Sequence, residues 1–363
     1  MSGPIPRPGI LDVSPYRGGP SRAAPGVRPH RLASNECALG TSPLASAAYK
    51  AVAGELHRYP DGDASALRTA IAGRFGLEAE RIVCGDGSDE LLHLLCQAYA
   101  GPGDDVLYSE HGFLVYPIAA KCAGARPVTA PEPDFRCNVD AVLGALTANT
   151  KIVFMANPSN PTGTYLPVAE MARLHRSLPQ HVLLVIDAAY AEYVEDDDYD
   201  SGAALAASAP NVIMTRTFSK ILGLAALRLG WAYGPPEIVD VLNRTRSPFN
   251  VSAPAQAAAV AALADRAHTE KVRRHTARWR QWLFDEIGAL GLEVVPSVTN
   301  FLLVRFADGP GRGAADADRF LAERGVLLRR MQGYGLADCL RVTVGLEDDN
   351  RAVIAALAEF LKG

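Results

Sequence analysis

Lys220 closes the stretch Thr217-Phe218-Ser219-Lys220, and Arg228 follows eight residues later. A lysine beside hydroxyl side chains, with an arginine nearby, suits a carbonyl compound that also carries a phosphate. The amine forms a Schiff base with the carbonyl, while the hydroxyls and the guanidinium take the phosphate. The apolar run from Asn211 to Met214 reads as a buried strand leading into this stretch. Lys220 therefore belongs just past a strand end, where an open α/β sheet places its ligand. A single lysine is more often a solvated surface charge, so the chemistry needs partners elsewhere in the chain.

Further stretches offer them. His181 to Ile186 reads as an apolar strand ending in Asp187-Ala188-Ala189-Tyr190, and an aspartate directly after such a strand is not simply solvated. Lys151 to Ala156 reads as another strand, running into Asn157-Pro158-Ser159-Asn160-Pro161-Thr162-Gly163, whose paired Asn-Pro steps make a rigid turn with the amide side chains held in fixed directions. Ile82-Val83-Cys84 leads into Gly85-Asp86-Gly87-Ser88-Asp89-Glu90 and a helix, a place where backbone N–H groups and the helix dipole close on an anion. A Gly-x-Gly-x-x-Gly dinucleotide fingerprint fails there at Glu90. Phe113 follows another strand end, at Asp105–Tyr108, and Arg329 and Arg341 stand at or beside later strands as candidate anion clamps.

The elements that must position these residues follow from the rest of the chain. With 363 residues, 48% of them hydrophobic and 21% charged, it can form two domains and a sizeable core. A net charge of −4 gives no basic field for nucleic acid or an anionic membrane. Neither an 18-residue apolar run nor an N-terminal signal pattern is present, which makes a cytoplasmic enzyme the default expectation. The six cysteines are scattered without a Cys-x-x-Cys pair and signal neither zinc nor disulfides; no metal site is expected. Residues 1–40, rich in Pro, Gly and Arg, read as an arm laid over the body or a partner; 41–246 read as a large domain. Residues 247–363 read as a smaller C-terminal domain, hinged at Ser247-Pro248-Phe249-Asn250 and entered through helices at Ala253–Leu263 and Thr269–Leu290. Seven or so strands alternating with helices imply an α/β fold with a mostly parallel sheet covered on both faces.

Gathered at the strand ends of such a sheet, these residues match pyridoxal 5'-phosphate. Asp187 suits the pyridine nitrogen, and Asn160 and Tyr190 suit the ring oxygen. Phe113 suits the ring face; the helix start at Gly87, Ser88 and Asp89, with Thr217, Ser219 and Arg228, suits the phosphate.

The combination Asn157 to Gly163, Asp187-x-x-Tyr190, Ser219-Lys220 and Arg228 resembles the fold-type-I, class I/II aminotransferases. More narrowly, Tyr59-Pro60-Asp61-Gly62, Gly85 to Glu90, Thr217 to Lys220 and Arg341-Val342-Thr343-Val344-Gly345 resemble the histidinol-phosphate aminotransferases. The resemblance implies that Lys220 carries the Schiff base and shuttles the substrate proton. It implies a homodimer in which Tyr59 reaches the other subunit's cofactor phosphate. Arg341 would bind the α-carboxylate, Arg329 with Tyr16 of the arm the substrate phosphate, and Asn35 would join the substrate contacts. The implied reaction is a ping-pong exchange between L-histidinol phosphate and 2-oxoglutarate on one side and imidazole-acetol phosphate and L-glutamate on the other. The arm departs from the usual pattern: Asn35-Glu36-Cys37-Ala38 stands where relatives have Asn-Glu-Asn-Pro, and Tyr16-Arg17-Gly18-Gly19 where many have Tyr-x-Pro-Gly. Alternatives on the same scaffold are an aromatic aminotransferase, a decarboxylase of a phosphorylated amino acid, and a ligand-sensing domain. Lys220 should be neutral when it reacts, its pKa lowered by burial and by Arg228.

Overall fold

The computed structural model describes residues 3–307, 309 and 311–362. The arm contains a short strand, β1 (His30–Arg31), and is followed by α1 (Pro43–Ala51) and α2 (Ser65–Phe75). Ser42 caps α1 by accepting from the N–H groups of Leu44 and Ala45, with Pro43 ready-set at the first helical position. An alternating series then runs β2 (Ile82–Asp86), α3 (Gly87–Tyr99), β3 (Asp105–Ser109), α4 (Val115–Ala123), β4 (Arg126–Ala130) and α5 (Val139–Gly144). It continues through β5 (Thr150–Ala156), α6 (Val168–Ser177), β6 (Leu183–Asp187), α7 (Ala203–Ser208), β7 (Val212–Thr217), β8 (Leu229–Tyr233) and α8 (Pro236–Thr245).

Strands β2 to β8 form one seven-stranded sheet in the order β2-β8-β7-β6-β5-β3-β4. Only β8 runs antiparallel to its neighbours; the other pairings are parallel. The central strands are apolar on both faces, and their period of two sorts them into two cores. Val153, Met155, Leu184, Ile186, Val212 and Met214 face α1, α2 and α6, while Ile152, Phe154, Leu183, Val185 and Ile213 face α3, α4 and α8. Burial on both sides fixes the register, because a one-residue slip would exchange the two sets.

The remaining elements are α9 (Ala253–Ala264), α10 (Arg266–Ala289), β9 (Glu293–Val295), β10 (Phe301–Arg305), α11 (Ala314–Glu323), β11 (Val326–Leu327), β12 (Arg329–Arg330), β13 (Cys339–Thr343) and α12 (Glu347–Lys362). An antiparallel sheet in the order β12-β13-β10-β9 packs on α10, α11 and α12. Ile354, Leu357 and Leu361 of α12 face that core together. The run from Val326 to Arg330 divides: Val326–Leu327 pairs in parallel with His30–Arg31 of the arm, and Arg329–Arg330 turns onto β13.

One boundary is corrected. The expected break at residue 247 would put α9 in the smaller domain, but Ala255, Ala258, Ala259, Ala262 and Leu263 are buried in the core of the large sheet with Leu67 and Ile71 of α2. Small alanines let α9 lie close against its neighbours, so its burial favours that side. The crossing is made by α10, about 36 Å long at 1.5 Å per residue: Val272 sits in the large core, and Trp279, Leu283 and Ile287 in the small one.

Candidate active site

The C-terminal ends of β5, β6 and β7 open onto a cavity of ≈ 470 Å³. Ser88, Asp89, Phe113, Asn160, Asp187, Tyr190, Thr217, Ser219, Lys220, Arg228, Arg341, Tyr16 and Asn35 all line it. Residues spread over 325 positions of sequence thus meet in one place. Gly87, Arg329 and Tyr59 do not line it.

Asp187 is the last residue of β6 and is buried. Its Oδ2 accepts from the Tyr116 hydroxyl at 2.9 Å and its Oδ1 from Thr215 at 3.3 Å. Burial pushes its pKa up to about 6, against the pull of those two hydrogen bonds. A carboxylate so desolvated gains from a cationic N–H partner. Tyr116 and Thr215 were not foreseen. Thr215 stands beside Asp187 in the β6–β7 register, and Tyr116 comes three residues after Phe113, one turn along α4. Tyr116 is fixed by stacking on Phe154, with ring centroids 4.6 Å apart.

Lys220 follows β7 by three residues. Its Nζ lies 5.6 Å from the centroid of the Tyr190 ring and donates to the carbonyl of Ser34 at 3.4 Å. Its pKa is brought down to about 8, first by burial and next by the positive charge of Arg341. Arg228 contributes as expected, but less than Arg341, which corrects the expected source of the second influence.

Tyr190 accepts a hydrogen bond from Asn35 Nδ2 at 2.8 Å, which leaves its own proton free to donate into the cavity. Asn35, in a left-handed backbone conformation at φ 55°, is tied to the small domain through Thr343 and Asn300. Both Asn-Pro bonds of the turn are cis, but their asparagines do different work. Asn157 clamps the backbone of Leu166 with both ends of its amide, whereas Asn160 accepts from Arg341. Arg341 also donates to the Ala33 carbonyl at 3.0 Å, and its buried Nε has no partner.

The start of α3 shapes an anion cradle. No side chain caps the helix, so its first N–H groups are available. Gly87, at φ +75°, lies so close to Arg228 that a Cβ there would stand 2.6 Å from the guanidinium. A Cβ on Gly230 would stand 2.3 Å from the Ser88 nitrogen. Gly87 thus shapes the cradle by lacking a side chain. Arg228 meanwhile pairs with Asp89 at 3.3 Å.

Arg329 points its guanidinium at the arm, donating to the Arg17 carbonyl at 2.7 Å with the Tyr16 ring 5.7 Å away. Tyr59 lies outside the cavity, 82% exposed and stacked on Phe249 at 4.7 Å. Among the described residues, no cluster of three His, Cys, Asp or Glu could hold a metal, and no helix is long and apolar enough to cross a membrane.

The cavity therefore joins a lysine of lowered pKa, a buried carboxylate, a phenol with a free proton, an anion cradle and a guanidinium with one unpaired N–H. That donor set fits pyridoxal 5'-phosphate.

Comparison with known proteins agrees. The family described as "Aminotransferase class I and II" matches residues 29–357. The chain is 57% identical over 361 residues to a histidinol-phosphate aminotransferase of Paramagnetospirillum magneticum, covering 99% of each chain. It is 59% identical over 364 residues to one of Rhodospirillum centenum, covering all of both. A solved histidinol-phosphate aminotransferase from Sinorhizobium meliloti, in complex with pyridoxal-5'-phosphate, superposes with a TM-score of 0.86 at 28% identity, over 100% of this chain and 99% of that one.

Proposed function

Because the chain belongs to the class I and II aminotransferases, with their fold-type-I architecture, we propose that it transfers the amino group between L-histidinol phosphate and 2-oxoglutarate as a step in making histidine. Full-length identity of 57 and 59% to enzymes of that name supports the substrate. The observation that carries the chemistry is the convergence of Lys220, Asp187, Tyr190 and Arg341 on one cavity.

When bound, pyridoxal phosphate supplies a carbonyl that condenses with amines and a protonated ring that accepts the electron pair released at the substrate α-carbon. Asp187 would hold the proton on the ring nitrogen, positioned by Tyr116 and Thr215. Tyr190 and Asn160 would contact the ring oxygen, and Phe113 would cover the ring face. The backbone of α3 at Gly87, Ser88 and Asp89, with Thr217, Ser219 and Arg228, would hold the phosphate. Lys220 carries the amine that takes the α-proton and returns it; a pKa near 8 leaves a useful neutral fraction at physiological pH. Arg341 would bind the α-carboxylate of glutamate. Arg329 and Tyr16, already paired, would grip the phosphate of histidinol phosphate. Tyr59 would complete the phosphate site of a second copy across a homodimer interface, and its exposure supports that reading.

A half-reaction tests the assignment. Purified holoenzyme receives L-histidinol phosphate in one cuvette and L-phenylalanine in another, while the visible band of the cofactor is followed. Bleaching at far lower histidinol phosphate is the expected result. Equal or reversed preference would move the protein to the aromatic aminotransferases, and carbon dioxide release without an oxo-acid would make it a decarboxylase.

A further inference from the structure

A second cavity, of ≈ 570 Å³, opens on the opposite face of the large sheet, among α2, β7 and the start of α10. Four arginines line it: Arg74, Arg216, Arg266 and Arg273. Arg273 is satisfied by Glu270 at 2.7 Å and by Glu195. Arg216 is buried, its guanidinium 4.2 Å from the centroid of the Phe75 ring and paired with Glu192 at 2.7 Å, yet its Nε has no hydrogen-bond partner. Arg74 and Arg266 have no carboxylate within 4.0 Å among the described residues. Arg74 is half-buried; its pKa is lowered first by that burial and then by the charge of Arg266, with Glu192 opposing and Arg216 adding a smaller push.

We propose that this cavity is a second anion site, separate from the active site, that takes a phosphate group, free or on a small monoester. Two guanidinium groups without counter-ions repel each other across the opening, and a tetrahedral dianion between them replaces that repulsion with charge-assisted hydrogen bonds. Phe75 and Tyr199 wall the cavity beside the guanidinium groups, and Arg266 stands exposed at its mouth. Arg216, locked by its ring contact and by Glu192, offers a pre-set donor face at the floor. Three carboxylates line the cavity: Glu192 and Glu270 are engaged by Arg216 and Arg273, and Asp200 accepts from the Gly202 N–H at 2.7 Å. The cavity shares its scaffold with the active site: Arg216 precedes Lys220 by four residues, Glu192 follows Tyr190 by two, and Arg266 is the first residue of α10.

Equilibrium dialysis of holoenzyme against inorganic phosphate and methyl phosphate tests the site. Three proteins are compared: wild type, Arg74→Ala/Arg266→Ala, and Arg329→Ala, which removes the arginine assigned to the substrate phosphate instead. Both exchanged arginines of the double variant lack ion pairs, so its fold and kcat/KM should match wild type. The expected result is a phosphate binding class present in wild type and Arg329→Ala and at least tenfold weaker in the double variant. The relative affinity of inorganic and methyl phosphate then says which source the site favours. Unchanged phosphate binding in the double variant, or loss only in Arg329→Ala, would overturn the proposal. Equal competition by succinate would show a general anion patch and overturn the phosphate assignment.

Discussion

At the scale of single residues, the site rests on two groups pushed off their ordinary titration ranges in opposite senses. Lys220 is brought down to about 8, chiefly by burial and then by Arg341. Only the neutral amine attacks a carbonyl, so cofactor uptake by apoprotein should rise about tenfold per pH unit up to pH 8 and then level off. Stopped-flow absorbance checks this, and Lys220→Ala should bind cofactor without turnover. Asp187 is raised to about 6 by burial. A raised carboxyl favours the folded apoprotein while protonated, and this contribution fades as pH climbs from 4 through 6; a cationic ring nitrogen reverses the penalty. Tyr116→Phe deletes one of the two side-chain hydrogen bonds that steady this carboxylate. Hydrogen bonds to charged groups are worth about 1.5–3 kcal/mol, so cofactor dissociation should quicken by roughly ten- to a hundredfold. Dialysis followed by absorbance measures it, and unchanged retention would remove Tyr116 from the positioning set.

Elements show why so much was legible beforehand and what was not. The strands β5, β6 and β7 are buried on both faces, so their apolar runs and the polar residues that end them stand out in the sequence, and Asp187 and Lys220 were found by that contrast. Tyr116 and Thr215 sit inside a helix and a strand, where nothing in local pattern separates a hydrogen-bonding side chain from a packing one; only the β6–β7 register and the stacking on Phe154 reveal them. The 247 boundary failed for a related reason. The alanine run of α9 has no marked polar face, so its sequence does not say which core receives it, and packing on α1 and α2 decides. One tight approach between elements is at Gly230, where β8 meets the first turn of α3. Gly230→Ala would force backbone apart there and should cost about 1–3 kcal/mol of stability, with weaker phosphate retention. Gly234→Ala, which meets only the Ile213 side chain at 3.1 Å and the Val212 carbonyl at 3.4 Å, serves as the milder comparison in thermal melts.

For the whole molecule, the proposal of a shared site makes a sharp mixing prediction. Lys220→Ala and Tyr59→Ala, each feeble alone, should regain about a quarter of wild-type activity when refolded together, because a symmetric mixed dimer holds one unaltered site. No recovery would place Tyr59 in its own subunit's chemistry or in none. The two domains meet at that same site through the bond from Arg341 to Asn160. In the resting protein the guanidinium is thus already spoken for, by an amide oxygen that carries no charge. An arriving α-carboxylate would trade places with that amide, so glutamate and 2-oxoglutarate would enter and leave by exchange. The asparagine acts as a neutral understudy for the anion. With histidinol phosphate in the site, which has no α-carboxylate, the amide would stay in place and the guanidinium would keep its partner through that half of the cycle.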